Sequence, residues 1–131
     1  KLRLVYEPTE VKVLTDEKWL LFILEQIISN AVKYTPSGTI TIRVTEDKKL
    51  SVEDTGIGIA PEDLPRIFEK GFTGYNGRMD KKASGLGLYL CKGVCEKLGH
   101  EIRVVSEEGE GTTVILTLQL EKVQQRDLVN M

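Results

Sequence analysis

One carboxylate and two glycines follow a predicted strand in Asp54–Gly58 (DTGIG). The strand, Leu50–Glu53, alternates apolar and polar residues with the two-residue period of a half-buried strand. Glycines let the backbone turn tightly and approach a ligand closely, and an ionised carboxylate only accepts hydrogen bonds. The matching ligand is a hydrogen-bond donor such as the exocyclic amine of adenine. Because Asp and Gly are also common turn residues, the stretch taken alone favours a plain connection.

Four polar residues share one side of the preceding predicted helix. Gln26, Asn30, Lys33 and Tyr34 lie at positions i, i+4, i+7 and i+8. The Asn amide oxygen suits Mg²⁺, the Lys ammonium could neutralise a phosphate, and the Tyr ring could pack against a base or sugar. A solvated helix face, with Lys complementing the helix dipole near the C-terminal end, explains the same pattern equally well.

Two glycines open a second predicted helix at Gly85–Leu88 (GLGL), which runs to Leu98 and is stopped by Gly99. Glycines at a helix start leave backbone N–H groups unobstructed, which makes a ready phosphate site. The glycine spacing fails the dinucleotide fingerprint at Tyr89 and Leu90, and the sequence has no GxxxxGK[ST] phosphate loop. A Rossmann or P-loop site is therefore not expected. The predicted buried side of this helix is Leu86, Tyr89, Leu90, Gly93, Val94 and Leu98.

The segment Glu69–Ser84, just before the second helix, is rich in glycine and basic residues and poor in apolar ones. A segment of this composition buries too little apolar surface to order itself. It is either a mobile lid whose cations face an anionic ligand or a dispensable surface loop. Its basic residues are Lys70, Arg78, Lys81 and Lys82.

Length and composition restrict the class of protein. The 131 residues fit one domain, and 40% apolar with 29% charged residues is ordinary for a soluble globular protein. The net charge of -2 argues against a nucleic-acid surface, and no apolar run approaches the roughly 20 residues that span a bilayer. No signal-peptide pattern is expected at the N-terminus. Cys91 and Cys95 lie four apart in the helical pattern, which predicts small apolar side chains rather than a metal site or disulfide.

The remaining elements must position these groups. Thr15 or Asp16 is predicted to cap a helix that runs to about Tyr34, with an apolar stripe at steps of three and four. A short helix is predicted over residues 60–68, with Pro and acidic residues in its first turn. The first two predicted strands could form an edge hairpin. The predicted strands are Leu2–Tyr6, Glu10–Leu14, Gly38–Thr45, Leu50–Glu53, Glu101–Ser106 and Thr112–Leu120, the last two joined by a hairpin turn.

Five short motifs, in this order, resemble the N, G1, F, G2 and G3 boxes of the ATP-binding catalytic domain of bacterial sensor histidine kinases. They are Gln26…Asn30-Ala31-Val32-Lys33-Tyr34, Asp54-x-Gly56-x-Gly58, Ile67-Phe68-Glu69…Phe72, Gly85-x-Gly87-Leu88 and Gly109-x-Gly111-Thr112. The resemblance covers nearly the whole chain, and five boxes in order are specific where each alone is weak. It implies the Bergerat fold of the GHKL ATPases. That fold is an α/β two-layer sandwich, in which helices cover one face of a mixed, largely antiparallel sheet.

The resemblance also implies a role for each matched position, with ATP and Mg²⁺ as cofactors. Asp54 would bind the adenine amine within the Gly56 and Gly58 turn, with Thr112 nearby. Ile59, Phe68 and Leu88 would be apolar walls, and Tyr34 would pack near the ribose and base.

The remaining implied roles concern the metal and the phosphates. Asn30 would hold the Mg²⁺, Lys33 would neutralise phosphate charge, and Gln26 would reach metal or phosphate. Backbone N–H groups would cradle the phosphates at Gly85, Leu86, Gly87 and Leu88. Arg78, Lys81 and Lys82 are the candidate lid contacts to the γ-phosphate.

Two positions depart from the family pattern. Gln26 stands where the family usually has Asn, and its longer side chain could still reach the metal or phosphate. His100, the only histidine, follows Gly99 where the family usually shows a second Gly. A turn histidine is expected there rather than a phosphoacceptor. In this family the acceptor histidine lies on a separate dimerisation domain, so the chain is expected to bind ATP without an acceptor of its own.

The first N-box position also separates the chain from related ATPases of the type II topoisomerase, mismatch-repair and heat-shock chaperone kind. Those proteins place a Glu one helical turn before the metal-binding Asn to activate water. Gln26 cannot act as a general base, and Glu25 lies about 100° away around the helix. The expected function is presentation of the γ-phosphate to a histidine in two-component signal transduction. An ATP-driven conformational switch or chaperone, and an anti-sigma-type protein Ser/Thr kinase, are the alternatives.

The expected organisation is a catalytic domain over residues 1–120 and a C-terminal tail over residues 121–131. The resemblance implies a soluble, monomeric, cytoplasmic fragment of a parent protein that is membrane-anchored and homodimeric. The implied partners are the parent's histidine-containing dimerisation domain and a response regulator, with no nucleic acid.

Overall fold

The computed structural model describes residues 1–72 and 87–118, and within them five strands form one mixed sheet of order β1-β2-β3-β5-β4. β1 pairs with β2 in parallel and the other neighbours are antiparallel. The elements are β1 (Leu2–Tyr6), α1 (Glu17–Lys33), β2 (Gly38–Val44), β3 (Lys49–Asp54), a 3-10 turn (Leu64–Arg66), α2 (Gly87–Leu98), β4 (Glu101–Glu107) and β5 (Gly111–Thr117). The predicted α/β sandwich, with a mixed and largely antiparallel sheet, is confirmed.

Helix α1 begins where the sequence predicts. The Asp16 side chain caps it by accepting a hydrogen bond from the Trp19 N–H at 3.1 Å, a contact worth about 1 kcal/mol. Three residues of the apolar stripe, Ile23, Ile27 and Ala31, are buried against the sheet. The core therefore lies between α1, α2 and one face of the sheet, where it also contains Ile40, Leu50, Val52, Ile102, Leu116 and Leu118.

Helix α2 packs through its two cysteines. Cys91 and Cys95 are 0% and 1% exposed and unpaired, which confirms them as small core side chains. Burial raises the pKa of the Cys91 thiol to about 12 and that of Cys95 to about 11. The predicted buried side is wrong at Tyr89 and Leu90, which are 41% and 43% exposed, and at Gly93, which is also exposed. With Cys91 facing the core, Leu90 lies about 100° and Tyr89 about 200° away around the helix.

Two predictions in the connecting segments are wrong. Residues 10–14 are not a strand, and Leu2–Tyr6 pairs in parallel with β2 instead of forming a hairpin. Parallel neighbours need a long crossover, which the segment through α1 supplies. The short helix predicted over residues 60–68 reduces to the 3-10 turn, in which Pro65 lacks the N–H that a longer helix would use.

His100 lies in the turn between α2 and β4, as predicted, but it is buried with 5% exposure. Its Nε2 is 2.7 Å from the Thr15 hydroxyl, so it joins this turn to the segment that precedes α1. Burial lowers the pKa of His100, and the Leu118 backbone opposes that shift in part.

The face that carries the core continues into a polar row at one end of the sheet. Ile40 pairs with Asp54, Asp54 with Thr112, and Thr112 with Ser106. Side chains of such directly paired residues lie on the same face, so this row extends the helix-covered face beyond the core. Most of the predicted lid and the predicted tail lie outside the described residues. In the described part of the chain, no helix has the length and hydropathy needed to cross a membrane.

Candidate nucleotide-binding site

Asp54 ends β3 and is only 8% exposed. Its Oδ1 accepts hydrogen bonds from the backbone N–H of Gly56 at 2.9 Å and of Thr112 at 3.1 Å. Both backbone donors use the same oxygen and therefore fix the orientation of the carboxylate. Oδ2 is the oxygen left to accept from a ligand.

The environment of Asp54 favours a ligand that donates hydrogen bonds. Burial raises the pKa of Asp54 above its ordinary value, and the backbone donors at Gly56 and Thr112 offset only part of that shift. The nearby Thr35 hydroxyl also lowers the pKa of Asp54, although it makes no well-formed hydrogen bond to a described residue. A buried carboxylate with an unused oxygen is stabilised by an incoming N–H, since a charge-assisted hydrogen bond offsets its desolvation.

The glycine turn after Asp54 packs against the end of α1. A Cβ on Gly56 would lie 2.1 Å from the Tyr34 carbonyl oxygen, so only glycine fits. The Ile57 N–H donates to that carbonyl at 3.1 Å. Residues of the first and second motifs, Tyr34 and Gly56, are therefore in contact.

The same turn also packs against the β4–β5 hairpin. Gly58 has φ +74 and a Cβ there would lie 2.2 Å from the Glu107 carbonyl oxygen, so both its conformation and its space require glycine. The Gly109 N–H donates to the Ile57 carbonyl at 2.7 Å. The first and last glycine motifs thus form one continuous wall.

Ser106 connects the glycine turn to the hairpin through hydrogen bonds. The sequence analysis did not identify this residue. Its Oγ accepts from the Ile59 N–H at 2.8 Å, donates to the Gly111 carbonyl at 2.9 Å, and lies 2.8 Å from the Thr112 Oγ1. The signal was present in the sequence, because a hairpin closed between Glu107 and Gly111 pairs Ser106 with Thr112.

Gln26, on α1, has its side chain close to the start of α2. Its Oε1 is 3.0 Å from the position of a Cβ on Gly87, so α1 and the glycine-opened helix meet at these two residues. Leu88 is half-buried beside them. The backbone N–H groups at the start of α2 have no helical partner and can bind an anion. Gly85 and Leu86, the other half of this motif, lie outside the described residues.

Asn30 is half-buried one turn further along α1, and its amide makes no hydrogen bond to a described residue. Lys33 is exposed, with its Nζ 5.9 Å from the centroid of the Tyr34 ring. No group of three His, Cys, Asp or Glu side chains in the described ranges could hold a metal. The Asn30 side chain offers an amide oxygen, a hard ligand of the kind that Mg²⁺ takes, so it fits a Mg²⁺ whose other ligands would be phosphate and water oxygens.

Two of the residues predicted as apolar walls, Ile59 and Phe68, contact other described elements. Ile59 is half-buried and held through its N–H by Ser106. Phe68 packs against the core and lies under α2, with the Lys92 Nζ 5.2 Å from its ring centroid. The lid cations Arg78, Lys81 and Lys82 lie outside the described residues.

Comparison with known proteins agrees with this geometry. A family described as "Histidine kinase-, DNA gyrase B-, and HSP90-like ATPase" matches residues 15–122. The chain belongs to this ATPase family. The resemblance drawn from the five motifs is confirmed.

Curated relatives narrow the class to sensor kinases. The chain is 51% identical over 112 residues to the sensor protein BceS of Halalkalibacterium halodurans, which covers 83% of this chain and 34% of the relative. It is 46% identical to the sensor histidine kinase GraS of Staphylococcus haemolyticus, covering 83% of this chain and 33% of that relative. The chain thus spans about a third of the length of these relatives.

Solved structures show the same fold. The Mycobacterial sensor histidine kinase MprB is 26% identical with a TM-score of 0.72, covering 90% of this chain and 80% of that one. The structure of full-length ShkA in complex with AMPPNP is 29% identical with a TM-score of 0.73, covering 88% of this chain and 25% of that one. Family and relatives together support an ATP-binding catalytic role and do not favour the chaperone or Ser/Thr kinase alternatives.

Proposed function

We propose that this chain binds Mg²⁺-ATP and presents the γ-phosphate to a histidine on a separate dimerisation domain. The observation that carries the proposal is the Asp54 carboxylate, buried at the end of β3 with both backbone donors on one oxygen. The other oxygen can accept from the adenine N6 amine, while the glycine turn, Tyr34 and Thr112 surround it.

The phosphate end of the site is the junction of α1 and α2. Gln26 and Asn30 share one side of α1, and the α2 start at Gly87 contacts Gln26. Asn30 would hold the Mg²⁺, which neutralises phosphate charge and orients the triphosphate when bound. Lys33 would add positive charge near the same phosphates, and the N–H groups of Gly87 and Leu88 would bind phosphate oxygens.

Slow hydrolysis and transfer to a partner follow from the same residues. Gln26 has no ionisable group, so the position that could activate water beside the phosphates lacks a general base. Transfer then depends on positioning and charge neutralisation, with the acceptor imidazole brought in from outside. His100 is excluded as the acceptor because it is buried and its Nε2 is bonded to Thr15.

The proposed unit is residues 1–120, with 121–131 as a tail. We place it in the cytoplasmic part of a longer, homodimeric and membrane-anchored sensor kinase, because its named relatives are sensor kinases of which the matched stretch covers only about a third. The partners are the dimerisation domain of the same protein and a response regulator.

The test of this function is phosphotransfer from ATP to the supplied dimerisation domain, compared between Asn30→Ala and the wild type. Asn30→Ala should abolish transfer, because the metal loses its protein ligand. Ser29→Ala is the matched control, since Ser29 is the exposed neighbour on the same helix and should transfer normally. The phosphorylated product should be labile to acid, as phosphohistidine is.

Three outcomes would overturn the proposal. Transfer by Asn30→Ala at the wild-type rate would remove the metal assignment. Rapid steady-state ATP hydrolysis by the chain alone would favour the conformational switch, and acid-stable phosphate on the partner would favour the Ser/Thr kinase.

A further inference from the structure

We infer that Ser106 is a positioning residue for purine selectivity, because it fixes the direction of the Thr112 hydroxyl hydrogen so that Thr112 presents only lone pairs to the base. The inference rests on the proposed ATP site and adds a residue that none of the five motifs contains. It follows from counting donors and acceptors around one oxygen.

A serine hydroxyl has one hydrogen to donate and two lone pairs to accept with. The Ser106 Oγ lies 2.9 Å from the Gly111 carbonyl oxygen, which can only accept, so the Ser106 hydrogen points there. One lone pair takes the Ile59 N–H at 2.8 Å. The second lone pair is the group that faces the Thr112 Oγ1 at 2.8 Å.

The Thr112 hydroxyl must therefore be the donor in its contact with Ser106. Its only hydrogen is then directed away from the pocket, and the lone pairs of its Oγ1 are what remains for a ligand. Among the described residues Ser106 has all three hydrogen-bonding positions filled, so this assignment has no equally satisfied alternative.

Thr112 and Asp54 are directly paired across β5 and β3, on the same face of the sheet. Their available groups are the Thr112 lone pairs and the Asp54 Oδ2, which are all acceptors. The N6 amine of adenine offers two hydrogens, whereas guanine and hypoxanthine carry a carbonyl oxygen at that position. These acceptors can bind the hydrogens of an amine, but they place lone pairs opposite the lone pairs of a carbonyl oxygen. Asp54 and Thr112 together should therefore select adenine.

The test compares the affinities of three nucleotides for the wild type and for Ser106→Ala, by calorimetric titration in excess Mg²⁺. They are ATP, ITP, which has a carbonyl in place of the amine, and purine riboside triphosphate, which has neither group. In Ser106→Ala the Thr112 hydroxyl can rotate and donate towards the pocket. The preference for ATP over ITP should fall about tenfold, the factor of one hydrogen bond, while purine riboside triphosphate binds almost unchanged.

Three further variants separate selectivity from general support of the loop. Thr112→Val removes the acceptor and should lower the same preference by the same factor, and the double variant should lose no more than either alone. Ser51→Ala, the same substitution on the open face of β3, should leave all three affinities unchanged.

An equal loss of affinity for all three nucleotides in Ser106→Ala would reduce Ser106 to a structural support and overturn the inference. So would an unchanged ratio of ATP to ITP affinity in both Ser106→Ala and Thr112→Val. Failure of the wild-type chain to bind ATP would instead contradict the proposed function itself. A failure of the inference about Ser106 can therefore be distinguished from a failure of the proposed function.

Discussion

Replacing Asp54 with Asn should separate ligand binding from folding at one residue. The two backbone donors from Gly56 and Thr112 both point at Oδ1, so an Asn side chain must place its carbonyl oxygen there. Its NH₂ group then occupies the position of Oδ2. A hydrogen-bond acceptor becomes a donor, and it faces the donor groups of the adenine amine.

The magnitude follows from two losses. A hydrogen bond to a charged group contributes about 1.5–3 kcal/mol, and two donors left facing each other cost about 1–3 kcal/mol more. Together they predict a loss of about 2.5–6 kcal/mol, or roughly 10²- to 10⁴-fold in ATP affinity.

The stability of Asp54→Asn against unfolding should not fall with its ATP affinity. Burial raises the folded-state pKa of Asp54, so ionising its carboxylate destabilises the folded state. This loss of stability is absent below the ordinary pKa of 3.8 and is fully present above the raised pKa. At neutral pH, Asp54→Asn should therefore unfold at the same or a higher temperature than the wild type.

The assay is ATP titration by calorimetry, with thermal unfolding of the same samples. Glu53→Gln makes the equivalent change on the neighbouring exposed residue of β3 and should bind ATP normally. ATP affinity within a few-fold of the wild type in Asp54→Asn, with the fold intact, would refute the assignment of this carboxylate to the adenine amine.

Two further predictions concern the frame around the site. Gly58→Ala should destabilise the protein by about 2–4 kcal/mol in urea unfolding, because Gly58 has φ +74 and the added Cβ would lie 2.2 Å from a backbone oxygen. The control Gly93→Ala, in open space on α2, should stabilise it by up to about 1 kcal/mol, and a Gly58 variant as stable as the wild type would contradict the packing described. Because the folded-state pKa of His100 is lowered, the unfolded chain binds a proton at His100 at a higher pH than the folded chain does. The free energy of unfolding should fall as the pH drops below 6.5, by at most about 1.4 kcal/mol per unit, until the lowered pKa is passed. In His100→Gln this contribution should disappear, and an unchanged pH slope of urea unfolding would show that His100 is not its source.

Local patterns were sufficient for much of this fold. Interactions between residues close in sequence determine three features that the structure confirms. They are the cap at Asp16, the apolar stripe of α1 and the alternation of β3. The resemblance carried by the five motifs also implied that Thr112 lies near Asp54, and the structure pairs these two residues across β3 and β5.

What sequence reasoning missed depends on long-range pairing. The parallel partner of β1 lies beyond α1, and no local pattern in residues 1–14 shows it. The face of α2 was misjudged because two small cysteines, and not the larger Tyr89 and Leu90, set its approach to the core. Ser106 pairs with Thr112 within the predicted hairpin, but its hydrogen bond to the Ile59 N–H forms only once the glycine turn packs against that hairpin.

The most direct measurement is a crystal structure of the chain with a non-hydrolysable ATP analogue and Mg²⁺. The adenine N6 should lie at hydrogen-bond distance, about 3 Å, from the Asp54 Oδ2, and the metal should be bound to the Asn30 amide oxygen. A nucleotide bound with its base away from Asp54, or with its phosphates away from the junction of α1 and α2, would contradict the proposed site.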